Sequence, residues 1–96
     1  MLVLVTYDVS TMTREGQNRL KAIAGACEGF GMRVQNSVFE CDVDPAQWER
    51  LKTLLLKIMS PNMDSLRFYF MGSNWQRRIE HHGAQRSPDM TDLLMV

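Results

Sequence analysis

Asp8 is the first residue whose type and place suggest chemistry. It closes the apolar run LVLVTY and opens the polar stretch VSTMTREGQ. A carboxylate at a strand end beside a loop is a hard oxygen donor. It suits a divalent cation such as magnesium, which takes one or two carboxylates and fills its other positions with water and substrate phosphate. Alone, Asp8 is a sparse ligand set, and a second Asp8 across a two-fold axis would supply the missing carboxylate. The alternative is turn chemistry, since Asp at a loop start commonly caps a turn such as DVST through the neighbouring backbone. Spacing leaves both uses open.

The other reactive side chains carry weaker signals. His81 and His82 are adjacent, so on a strand they point to opposite sides, and neither has the i, i+4 or CxxC partner of a closed metal site. They read as exposed tail residues without a catalytic role. Cys27 falls on a helical apolar stripe and Cys41 on an inward strand parity, which makes both core fillers rather than nucleophiles. STMT after Asp8 and GFG at 29–31 lack the spacing of a dinucleotide or phosphate-loop fingerprint. Arg33 and Gln35 share an outward parity, with Ser37 at a turn. That row suits phosphate contacts and a solvated strand face equally.

The elements that must position these residues follow from periodicity. Residues 2–7 are apolar or β-favouring on both parities, which predicts a strand covered on both faces, hence a central one. Leu20, Ile23, Ala24 and Cys27 repeat at helical spacing, and Gly29 stands where a C-terminal cap belongs. In GMRVQNSVFECDV the apolar parity changes from Met32 and Val34 to Phe39, Cys41 and Val43. A strict period of two cannot do that, so a turn or bulge near Asn36-Ser37 separates two strands. Asp44-Pro45 opens a second helix with the stripe Trp48, Leu51, Leu55 and Ile58, stopped by Ser60-Pro61. SLRFYFMG alternates as a strand that ends at Gly72. The order βαββαβ and the right-handed crossover rule give an α+β, ferredoxin-like sheet of four antiparallel strands with two helices on one face. The tail, residues 73–96, is polar and basic through Arg86 and then apolar at Leu93-Leu94-Met95-Val96. An end of that kind is expected to add a strand to a sheet or to pack on a partner protomer.

Composition bounds the remainder. A chain of 96 residues fits one domain whose stability oligomerisation would usefully increase. With 11 basic and 11 acidic residues, whole-chain charge argues for neither nucleic acid nor membrane. Its distribution says more. Glu40–Glu49 holds only acidic charges, whereas the C-terminal third carries Arg67, Arg77, Arg78 and Arg86. Eight arginines against three lysines favour the bidentate guanidinium fork that suits phosphate and carboxylate. The two cysteines lack CxxC spacing and no secretory leader precedes the first strand, which predicts reduced thiols in the cytoplasm. The apolar N-terminus is too short to cross a bilayer. An open ferredoxin-like sheet face invites RNA, but the aromatic cluster of an RNA-recognition motif is missing.

Tyr7-Asp8 at the end of the first strand, Arg19-Leu20 in the first helix and above all RVQNSVFE at positions 33–40 resemble a known family. It is that of the smaller of the two CRISPR spacer-acquisition proteins, the ferredoxin-like CRISPR-associated endoribonucleases. The family pattern reads strand, Asp, helix, then R-V-Q-x-S-V-F-E, and every fixed position of the last motif is matched. The resemblance runs from Met1 to about Gly72 and is loose beyond. It implies a homodimer in which the Asp8 carboxylates of two protomers face each other across a cleft, with a C-terminal strand completing the partner's sheet. Two roles follow from it. In one, the dimer binds duplex DNA or RNA through Arg19, Arg33, Arg77 and Arg78 and bridges the larger integrase subunits during spacer acquisition. In the other, the paired Asp8 residues share one magnesium ion in a phosphodiester-hydrolysing endonuclease. There Ser37 is matched as a phosphate hydrogen-bond donor and Phe39 as a shaper of the cleft, while Arg19 or Arg33 orients the nucleic-acid backbone. No general base is evident in the sequence.

Overall fold

The computed structural model describes residues 1–72 and 79–84. Its elements are β1 (Leu2–Asp8), α1 (Arg14–Glu28), β2 (Gly31–Gln35), β3 (Val38–Asp42), α2 (Pro45–Ile58), β4 (Ser65–Met71) and β5 (Ile79–Gly83). They build one sheet in the order β2-β3-β1-β4-β5, with every neighbouring pair antiparallel. The βαββαβ arrangement expected from periodicity is present. A fifth strand extends it, and β5 pairs with β4 of its own chain.

The all-apolar run of β1 does place it at the centre. Val3, Val5 and Tyr7 face both helices in a core with Leu20, Ile23, Ala24 and Cys27 of α1, Trp48, Leu51 and Leu55 of α2, and Phe39, Cys41, Leu66 and Phe68 of the flanking strands. Trp48 meets Phe68 and Phe70 edge to face, with ring centroids 4.7 and 5.6 Å away. The middle of the second sheet face is covered as well, since Leu4, Thr6, Arg67 and Tyr69 are all buried. The open face pictured from sequence is therefore closed at its centre.

Local chemistry sets the helix limits. The Thr13 side chain accepts from the Gly16 N–H at 3.0 Å and starts α1. Asp44 and Gln47 form a reciprocal capping box with Pro45 in the first turn, and α2 ends just before Ser60-Pro61. Gly29 does follow α1, but at φ −68° it keeps right-handed geometry, so its place does not require a glycine's left-handed freedom. The parity change between β2 and β3 has two sources. One is the turn at Asn36-Ser37; the other is a register shift between Arg33 and Gln35 that leaves Val34 as an extra residue.

Candidate active site at the end of the central strand

Asp8 is the last residue of β1 and is half-buried. Since Tyr7 points into the helical core, alternation turns Asp8 to the other face of the sheet. Three pieces of chain meet there. The β1–α1 loop leaves from Asp8 itself. The β2–β3 turn is held to β1 by the Tyr7 N–H, which donates to the Ser37 carbonyl at 2.9 Å. The start of β4 lies alongside, where Ser65 is the direct cross-strand partner of Asp8.

A buried ionic cluster fixes this corner. Asp64, fully buried just before β4, accepts from Arg19 Nε at 2.8 Å and Arg19 Nη2 at 3.1 Å, from the Tyr7 hydroxyl, and from the Ser60 N–H at 3.0 Å. One carboxylate thus ties together β1, α1 and the α2–β4 turn. Burial works to raise the pKa of Asp64, but the hydrogen bonds from Arg19, Tyr7 and Ser60 outweigh it and hold the carboxyl below its ordinary value. Tyr7 is driven strongly upward, first by burial and then by donating to Asp64. Arg19 is raised chiefly by its bond to Asp64. The pair is therefore an ionised carboxylate satisfied by a guanidinium fork and a neutral phenol.

The backbone of Asp64 serves a second purpose. Its carbonyl accepts from the Ala84 N–H at 2.7 Å and so pins the end of β5. Gly83 has φ +99°, and a Cβ there would overlap that same carbonyl, so this approach requires glycine. Gly16, in the first turn of α1, is the other position of this kind, because a Cβ on it would overlap the carbonyl oxygen of Ser10 in the loop that leaves Asp8. On β5, His81 Nε2 lies 2.7 Å from Ser65 Oγ. On the helical side of the same strand, Glu80 binds Lys52 of α2 at 2.5 Å and His82 at 2.6 Å. Burial tends to raise the Glu80 pKa, but its bonds to Lys52 and His82 prevail and lower it.

The sequence candidates are thus distributed unevenly. Asp8 and Ser37 come to one end of the sheet, although the observed bond of Ser37 to β1 is made by its backbone carbonyl. Phe39 does not shape a cleft beside Asp8. It pairs with Val5, is fully buried under the helices and so occupies the opposite face. Arg19 is drawn inward by Asp64 rather than presented to a phosphate. Arg33 braces the β2–β3 turn, donating from Nε to the Asn36 carbonyl at 2.8 Å, and its guanidinium carbon sits 5.5 Å from the centre of the Phe39 ring. Arg77, Arg78 and the apolar end at 93–96 lie outside the described residues. His81 and His82 are strand residues, half-buried and hydrogen-bonded, and not the exposed tail expected of them. Sequence patterning missed Asp64 altogether. The available signal was an acid directly before an apolar strand, matched by Arg19 on the inward side of helix one.

Among the described residues, no three His, Cys, Asp or Glu side chains gather into a metal-binding group. A magnesium ion needs only one or two carboxylates, so Asp8 fits as half of a ligand set that a second copy would complete. No helix of the described residues is long and apolar enough to cross a membrane.

Comparison with known proteins agrees with this architecture. The family model described as CRISPR associated protein Cas2 matches residues 1–79. The chain is 58% identical over 96 residues to the CRISPR-associated endoribonuclease Cas2 of Chlorobaculum tepidum, covering all of both chains. It is 48% identical to the CRISPR-associated endonuclease Cas2 of Halalkalibacterium halodurans, covering 99% of each. The crystal structure of Streptococcus pyogenes Cas2 superimposes with a TM-score of 0.74 at 54% identity, covering 83% of this chain and 96% of that one. With matched family, matched length and matched sheet, this chain belongs to the Cas2 family of CRISPR-associated proteins.

Proposed function

We propose that the protein is a magnesium-dependent endonuclease of a CRISPR system, acting on phosphodiester bonds as a cytoplasmic homodimer whose two Asp8 carboxylates share the ion. The observation that carries this reading is Asp8 itself, a half-buried carboxylate at the end of the central strand whose preceding residue is locked by the Asp64–Arg19 cluster. The names of relatives 58% and 48% identical, an endoribonuclease and an endonuclease, support it. Two like charges brought together repel unless a cation lies between them, so a paired Asp8 site calls for a cation. When bound, magnesium would supply electrostatic stabilisation of the charge that develops on phosphate. The chain's own contribution is positional: β1 cannot tilt without breaking the Tyr7 bond to Asp64, and β4 keeps Ser65 beside Asp8.

A second reading is supported by the arginine-rich C-terminal third of the sequence, with Arg67, Arg77, Arg78 and Arg86. In it, the homodimer binds duplex DNA or RNA, with Arg77 and Arg78 on phosphate, and bridges the larger integrase subunits during spacer acquisition without cutting. One experiment separates the two. Labelled single-stranded RNA and double-stranded DNA are incubated with wild type and Asp8→Ala, with magnesium or chelator, and duplex binding is measured at two salt concentrations. Magnesium-dependent cleavage that vanishes in Asp8→Ala supports the nuclease. Equal cleavage by both proteins refutes the Asp8 assignment. If neither cuts but both bind duplex in a salt-sensitive manner, the bridging role stands.

A further inference from the structure

We propose that His81, acting through the Ser65 hydroxyl, is the proton acceptor of the Asp8 site; this rests on the nuclease reading above. The geometry comes from sheet register. Asp8 and Ser65 are direct partners across β1 and β4, which puts their Cβ atoms about 5 Å apart on one face. On β5, Gly83 pairs with Ser65 and His81 pairs with Arg67. His81 is therefore one pair along from Ser65, on the same face, and its Nε2 closes the gap at 2.7 Å. The result is a line of three side chains across three strands, Asp8, Ser65 and His81. The two ends are half-buried and the middle hydroxyl is buried.

Each part has a reason to be where it is. Ser65 carries one hydroxyl proton and two lone pairs, so it can donate to an unprotonated Nε2 while accepting from a water beside Asp8. Gly83 and the Ala84 N–H hold the end of β5 against the Asp64 carbonyl, and Asp64 also locks Tyr7, so one residue sets both ends of the line. Among the described residues, the charged group paired with His81 across the strands on its face is Arg67, and Asp8 lies beyond Ser65. Glu80 and His82 alternate to the helical face, where Glu80 binds both Lys52 and His82.

In the hydrolytic step the water oxygen bonds to phosphorus and the phosphorus–O3′ bond breaks. The water proton passes to Ser65 Oγ as the Ser65 proton moves to His81 Nε2, and the departing O3′ takes a proton from solvent. His81 then returns its proton to solvent. No oxidant or further reactant is required. His81 acts through Ser65, so it is a positioning and relay residue rather than one that touches substrate.

The test measures the pH–rate profile of RNA cleavage with magnesium for wild type, His81→Gln, Ser65→Ala, His82→Gln and Asp8→Ala, alongside the tautomer of His81 by nitrogen NMR of wild type. Wild type should lose rate toward acid pH, where the acceptor nitrogen is already occupied by a proton. His81→Gln and Ser65→Ala should each lose about 100-fold and lack that acidic limb, whereas His82→Gln keeps both rate and limb. The neutral His81 ring should carry its proton on Nδ1, leaving Nε2 to accept. A proton on Nε2 overturns the proposal even if the variants fail to fold. So does a His81→Gln profile indistinguishable from wild type while Asp8→Ala is inactive. Full activity in Asp8→Ala, or none in wild type, would instead bring down the nuclease reading and the relay with it.

Discussion

Removing the Arg19 side chain should be among the most damaging single changes to this fold. Asp64 is fully buried and Arg19 exposes 20% of its side chain, so Arg19→Ala leaves a buried carboxylate without its counter-charge. Breaking a buried pair from one side costs about 3–5 kcal/mol. The Tyr7 hydroxyl and the Ser60 N–H remain as donors to Asp64, which argues for the lower end, about 3 kcal/mol. In urea, with a slope of about 1.5 kcal/mol/M, the midpoint should fall by about 2 M. Far-ultraviolet circular dichroism at fixed protein concentration reads this directly. Tyr7→Phe removes a hydrogen bond to a charged acceptor and should cost about 2 kcal/mol. The double variant leaves Asp64 with the Ser60 N–H alone, so its loss should exceed the sum of the singles by about 1 kcal/mol. A loss below about 1 kcal/mol for Arg19→Ala would place the pair with solvent-screened surface bridges. Either that result or simple additivity would refute the account of a shared, buried carboxylate.

Three further outcomes are expected. The folded pKa of Asp64 is depressed and that of Tyr7 is raised, so the cluster contributes fully between the unfolded values of about 4 and 10. Stability should decline as pH falls through the folded Asp64 value or rises through the folded Tyr7 value, and Tyr7→Phe should remove the alkaline decline; urea midpoints across pH read both limbs. Gly83→Ala should detach β5, because the added Cβ meets the Asp64 carbonyl at a positive φ. Hydrogen exchange at 79–83 should then accelerate while β1 stays protected. Cys27 has its pKa raised by its hydrogen bond with Cys41 and by burial, so a thiol reagent should modify it only after urea unfolds the chain.

The fold was legible wherever one residue type answers one physical demand. A strand apolar on both parities had to be central, Asp44-Pro45 had to open a helix, and the parity change between Val34 and Phe39 had to be absorbed by a turn or a bulge. β1, α2 and Val34 show each in turn. What stayed hidden depends on distant pairing. Arg19 reads as a phosphate ligand until Asp64, 45 residues away, is seen to take its guanidinium. Phe39 belongs to a motif that suggests chemistry, yet its register with Val5 turns it into the core. His81 and His82 looked like loose tail because polar alternation on an edge strand lacks an apolar stripe, and their partners Ser65 and Glu80 are identifiable only from register and contact.

The close approach of Gly16 to Ser10 bears on how this protein can be engineered. The segment that follows Asp8 is mostly exposed and rich in small polar residues, the usual choice for inserting a peptide tag or a fluorophore. Here it is laced at both ends: Gln17 Nε2 donates to the Thr11 carbonyl at 2.9 Å, Thr13 caps α1, and the helix backbone at Gly16 rests against Ser10. Extra residues would lift that lacing and swing the exit of Asp8, so a label belongs elsewhere. The exposed turn at Pro61–Met63 offers such a place, provided Ser60 and Asp64 are left intact.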